Sequence, residues 1–393
     1  MDIQRRVLIP LQNGVGIEQV NTCYGSRSGT RLFQVYASTA GDDAFGTFYQ
    51  RISDDNGRTW SEPSLLYQPQ ETPEGVVRLG ETALFLDEDR DAILHSYNHG
   101  LYPAGQFTGD AERYIRIFFR VSYDGGKSFG EGTQVIQRGY DSEHWASGVV
   151  YRQNGMAISF CAPIKTKRGD IIVPVQTCPV SADFQEPASI KWKAGCLIGR
   201  WVRKRLVWDL SEMICLPAAV SSRGLCEPAI AELADGSLLM ICRGSNYGLP
   251  DAPGHKWLSV SRDGGRVWSP PVAWTYSNGQ PFFSPATGSR LIRHSVNGKL
   301  YWIGNIVSSN PEGNRPRFPL QIAEVDEDKR ALIADTVRVV EDVREGDSPL
   351  VQFSNFRVYE DRETHEFVLT MARFQEKGEK ILDSPAYQYR IVI

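Results

Sequence analysis

The chain has 393 residues, 41% hydrophobic and 23% charged, which supplies a substantial core and excludes a disordered polymer. Its formal net charge is −4 with Lys and Arg spread along the length, so no nucleic-acid or anionic-membrane partner is expected. No stretch reaches transmembrane length, MDIQRRVLIPLQNG is too interrupted for a signal peptide, and seven cysteines lack any C-x-x-C spacing; reduced, buried thiols in a cytoplasmic protein are expected.

Taken in chain order, the segments alternate apolar and polar residues at a period of two. RRVLIPL opens the chain as a strand, and GTFYQRIS leads into SDDNGRTW at Ser53 to Trp60. RLGETALFLDEDRDAILHSYN and YIRIFFRVS then lead into SYDGGKSF at Ser122 to Phe129. EPAIAEL, SLLMICRG and HKWLSVS precede SRDGGRVW at Ser261 to Trp268, and VAWTYS follows it, giving four short strands with turn signals between them. SRLIRHSVNGKLYWIGNIV, FPLQIAEVDEDKRAL, QFSNFRVYED and AYQYRIVI complete the series, with almost no helical periodicity.

The three octets start 69 and 139 residues apart, one period and then roughly two. In each, glycine supplies a positive φ, the Asp carboxylate accepts from the turn's own amides, and the final aromatic turns inward. Six four-stranded units of about 65 residues predict an all-β fold, a six-bladed β-propeller spanning residues 1–393 as one domain. The N-terminal strand is expected to pair with AYQYRIVI and close the ring.

The octets match the Asp-box pattern S-x-D-x-G-x-x-W, and the chain resembles the sialidase-like (BNR repeat) superfamily of six-bladed propellers. That resemblance places the Asp-boxes away from the site and the site at the starts of the innermost strands and the loops between second and third strands. LCEPAIAELADGSLLMICRG is similar to the stretch that carries a catalytic Glu before Pro and then a carboxylate-binding Arg, here Glu227 and Arg243. The next such Arg is expected in SSNPEGNRPRFPL, at Arg317 in preference to Arg315, and the acid/base Asp in ASTAGDDAFG, at Asp42 or Asp43. Two positions depart from the pattern. GIEQVNTC has Glu18 and Gln19 where the first Arg would stand, and QFSNFRVYED has Phe353, Ser354 and Asn355 where a nucleophilic Tyr would open the last blade, with Tyr359 several residues later.

A phenol nucleophile suits a substrate whose own carboxylate flanks the reacting carbon. Without the Tyr, Glu227 and Asp42 or Asp43 become an ordinary glycosidase pair, Glu227 as nucleophile or general base and the Asp as general acid. Arg243 and Arg317 would clamp an anionic group of an acidic glycan or oligosaccharide. The alternative reading of Glu227 is a structural ion pair with Arg243. A second chemistry is a polysaccharide lyase on uronate glycans, in which His99 and His144 face the central pocket with Tyr97 and Arg78 beside them. A third reading is a glycan-binding propeller without catalysis. Trp145, Tyr97, Tyr102, Tyr247 and Phe283 are candidate sugar-stacking surfaces. No cofactor is expected and no metal, since HSYNH has no fixed geometry at a strand end and the octets lack the spacing of a calcium loop.

Overall fold

The computed structural model describes all residues except 1, 12–13, 42–43, 104–111, 161, 181–191, 379 and 381–383. Six antiparallel sheets follow one another along the chain. Their innermost strands are Ile17–Tyr24, Gly75–Asp87, Gly155–Ala157, Cys226–Glu232, Arg290–Arg293 and Arg357–Glu360, which open blades one to six. The fourth blade continues through Leu238–Arg243, Lys256–Ser261 and Val272–Ala273, the four segments expected from the sequence. Helix is confined, among the described residues, to the single turn Ala334–Thr336.

Alternation builds this ring because each sheet is covered on both faces by its neighbours. A separate apolar cluster fills each junction: Phe33, Val35 and Phe48 with Leu79 and Ile93 between blades one and two, and Trp145, Met156 and Val173 with Leu94 and Ile117 between two and three. Trp274 and Trp302 meet edge-on, 5.7 Å apart, between blades four and five. The ring closes where Ile3–Ile9 pairs antiparallel with Ala386–Ile391, in register from Ile3 with Ile391. Blade six therefore takes its outermost strand from the N-terminus.

The Asp-boxes are structural clips. Ser122 Oγ accepts from Gly126 N at 2.9 Å and donates to Asp124 Oδ1 at 2.8 Å, while Asp124 Oδ1 also accepts from Ser128 N at 2.9 Å. Ser53 with Asp55, and Ser261 with Asp263, repeat the arrangement. Hydrogen bonds from Thr59 and Ser128 pull the Asp55 and Asp124 carboxyls down to about 2. Gly126 sits at φ +88°, and a Cβ added there would lie within clashing distance of the Phe33 ring, so no side chain fits there. Phe129 packs on Phe33 at 5.1 Å, and Trp268 enters the cluster between blades three and four. Among the described residues, Cys23, Cys178, Cys196, Cys215, Cys226 and Cys242 form no disulfide, and no helix is long and apolar enough to cross a membrane.

Candidate functional site

Residues from all six blades line one cavity of about 610 Å³, which places it on the propeller axis. Among the described residues its charged lining is Arg113, Arg223, Arg243, Arg315 and Arg317 against Glu81 and Glu227, a surplus of three positive charges in a chain whose net charge is −4.

Glu227 reaches the cavity through a break in its own strand. Pro228 has no amide to give to the ladder, the register shifts between Cys226 and Ala229, and Glu227 adopts φ 49°. A left-handed conformation costs a non-glycine residue about 1–3 kcal/mol; it turns the Glu227 side chain out of the sheet and lets its amide donate to Gln176 Oε1 of blade three at 2.8 Å. The carboxylate is held by Arg243 Nη1, so the ion pair weighed as a structural alternative does form. Arg243 Nη2 donates to Asn314 Oδ1 at 3.0 Å.

Arg315 and Arg317 arrive together from blade five. Arg317 donates to Gln352 Oε1 at 3.1 Å and to the Ala286 carbonyl at 2.8 Å, while Arg315 donates to Gln375 Oε1 at 3.1 Å. Gln375 Oε1 also accepts from Gln352 Nε2 at 2.6 Å, so the two amides in series link both arginine arms. Arg317, the preferred candidate, and Arg315 both line the cavity.

No arginine stands at the expected first position, and Gln19 there pairs with Arg357 of blade six, which does not line the cavity. Glu18 and Gln19 are buried, and Gln19 Oε1 accepts from Arg357 Nη2 of blade six at 3.2 Å. The same Nη2 lies 2.5 Å from Glu81 Oε2 of blade two, and Nε donates to Asn21 Oδ1 at 2.9 Å. Gly80 and Glu81 enter the cavity at a register shift between Leu79 and Thr82. Glu81 was missed in the sequence, although a glycine inside the alternating run RLGETALFL is the mark of a bulge. Arg113 and Arg223 were missed as well, the second only four residues before Glu227.

The last blade supplies no phenol to this wall. Phe353 is fully buried in the cluster between blades five and six, and Ser354 and Asn355 line the cavity in its place. Tyr359 lies outside the lining, edge-on to Tyr24 at 6.1 Å, with burial pushing its hydroxyl far up. Asp42 and Asp43 lie outside the described residues, just before Phe45, which lines the cavity.

The histidine group is not assembled. In the strand Ala92–Tyr102 it is Asn98 that faces the cavity side, clipping Ile158 of blade three at 2.8 and 3.0 Å, so His99 points to the opposite face and packs on Phe118 at 5.2 Å. Burial first, and then Arg116, lowers the His99 imidazole. His144 is exposed beside Tyr140, at 5.0 Å, and does not line the cavity. Tyr97 stacks on Phe118 at 6.0 Å, and Arg78 reaches the Phe45 carbonyl at 3.5 Å between blades one and two; neither lines the cavity. Of the aromatic candidates, Trp145 is fully buried between blades two and three and Phe283 stacks on His255 at 6.3 Å. Tyr247 is exposed above the Arg223 guanidinium at 5.5 Å, outside the lining, and Tyr102 belongs to the lining itself.

A six-bladed ring with Asp-box clips on its outer turns, and an arginine-rich axial cavity holding a Glu–Pro carboxylate, defines a sialidase-like propeller divergent from true sialidases. The chain belongs to the BNR repeat-like domain family, whose model matches residues 47–332. Solved structures agree on the fold. A Trypanosoma rangeli sialidase superposes with a TM-score of 0.63 at 12% identity over 100% of this chain, which spans 60% of that protein's length. A Hadza microbial sialidase gives 0.64 at 12% identity, covering 99% of this chain and 68% of the other. The Ruminococcus gnavus intramolecular trans-sialidase, solved with oseltamivir carboxylate, gives 0.63 at 12% identity over 96% of this chain and 94% of its own. No curated protein sequence matches significantly.

Proposed function

We propose that this propeller is a carbohydrate-active enzyme, a glycoside hydrolase acting on an acidic glycan or oligosaccharide in the axial cavity. The observation that carries the reading is the convergence of Arg243, Arg315 and Arg317 with Glu227 in one cavity whose described lining is net positive. The arginines would hold the substrate's anionic group, guanidinium to carboxylate or sulfate. Glu227 acts as nucleophile or general base, and Asp42 or Asp43 as general acid. The names of the neighbours given above, two sialidases and a trans-sialidase, favour a glycan ligand.

The test is a turnover screen on a panel of acidic and neutral glycans with Glu227→Gln as control and circular dichroism to confirm folding. Loss of at least about a hundredfold in kcat for the variant is expected of a carboxylate that takes part in the chemistry. An unchanged rate would remove Glu227 from the mechanism. A second reading, a glycan-binding propeller, is favoured by Ser354 and Asn355 standing where the family's Tyr would be; saturable binding with no turnover across the panel would select it.

A further inference from the structure

Lys256 is wholly buried, and the chemistry above makes no use of it. It opens the strand Lys256–Ser261 as the register partner of Arg243. Its Nζ donates to the Pro285 carbonyl at 3.4 Å, to Thr287 Oγ1 at 3.2 Å and most closely to the Thr287 carbonyl. Between those two residues lies Ala286, whose carbonyl accepts from Arg317 Nη2 at 2.8 Å and whose amide donates to the Gly313 carbonyl at 2.8 Å. One ammonium thus grips both neighbours of the carbonyl that aims Arg317.

We propose that Lys256 is a positioning residue of the anion site: it fixes the segment 285–287 that orients Arg317, and it adds its own charge behind Arg243 and Arg317. The inference rests on the reading of Arg243, Arg315 and Arg317 as an anion site, and not on turnover. The charged and titratable groups facing Lys256 are Glu227, Arg243, Arg317, Cys226 and Cys242. Burial lowers Lys256 to about 7, against the attraction of Glu227 and with the repulsion of the two arginines. A protonated ammonium has three donors for its three acceptors; the neutral amine loses one donor and the charge. An anion bound at the arginines favours the protonated form, so by reciprocity its affinity is highest below about pH 7 and falls as Lys256 deprotonates.

Inorganic sulfate, whose charge does not change across this range, is titrated calorimetrically into the whole chain at pH 6 and pH 8. The wild type is expected to bind more tightly at pH 6, by about fivefold if sulfate raises Lys256 by one pK unit and by at most about tenfold between these two pH values for larger shifts. Lys256→Met should bind more weakly at pH 6 and lose the difference between the two pH values. Retention of the wild-type affinity and pH dependence in that variant would overturn the proposal. Thr287→Val, which removes one acceptor and keeps the charge, should shift the fall in affinity to lower pH, and an unmoved profile counts against the proposal even if Lys256→Met does not fold. Absence of sulfate binding to the wild type at pH 6 would overturn the anion site and this inference together, whereas failure of the turnover screen alone would leave it standing.

Discussion

The same lysine makes folding stability depend on pH in the opposite sense from anion affinity. In the unfolded chain its ammonium holds its proton up to an ordinary value of 10.5, while in the fold burial lowers it to about 7. Between those values the unfolded chain binds more protons than the folded one, so stability rises with pH through the window. Each pH unit there is worth about 1.4 kcal/mol, so the contribution grows by roughly 2 kcal/mol between pH 7.5 and pH 9. Lys256→Met keeps the aliphatic volume and has nothing to titrate. Urea unfolding of both proteins across that range should show the stability of the wild type minus that of the variant climbing by about 2 kcal/mol. Below pH 7 the difference should level off, because both states of the wild type are then protonated. Tyrosine and cysteine ionisation is common to both proteins and cancels. A difference curve that is flat or falls with pH would refute the assignment of a depressed, buried ammonium to this position.

Arg357→Met takes the buried guanidinium away from Glu81, Gln19 and Asn21, and removing one partner of a buried pair costs about 3–5 kcal/mol, readable as a lower urea midpoint. Phe353→Tyr should restore no sialoside cleavage, because the ring points into a closed cluster; burying its hydroxyl costs about 1–3 kcal/mol in thermal or urea unfolding. Ser122→Ala breaks the clip at Gly126 N and should cost about 1–2 kcal/mol while leaving sulfate affinity unchanged, since that turn does not touch the cavity.

What the sequence could convey was local. Strand alternation, the Asp-box turns and the closing pair are each set by residues within a few positions of one another or by simple complementarity of two strands, and all were legible. Glu227 and Arg243 were reached through the family resemblance, which one Glu–Pro step and the end of the next strand carry, and both line the cavity. The Arg357–Glu81 bridge joins residues 276 positions apart in blades six and two, and no local pattern encodes it. His99 failed by parity: its neighbour Asn98 faces the cavity side, and one step along a strand reverses the face. Trp145 shows a different limit, because an aromatic residue near a strand start reads alike whether it covers a sugar or fills a junction between blades.

Ring closure gives the first nine residues a reach beyond their position. Ser354, Asn355 and Arg357 belong to the blade whose outer edge is the strand Ile3–Ile9. Deleting that strand would uncover the backbone donors and acceptors of Ala386–Ile391, leaving a naked sheet edge that invites intermolecular pairing. A change that removes this strand therefore perturbs the blade that supplies Ser354 and Asn355, and activity or binding measured without it should be compared with the intact strand before any loss is assigned to an axial residue.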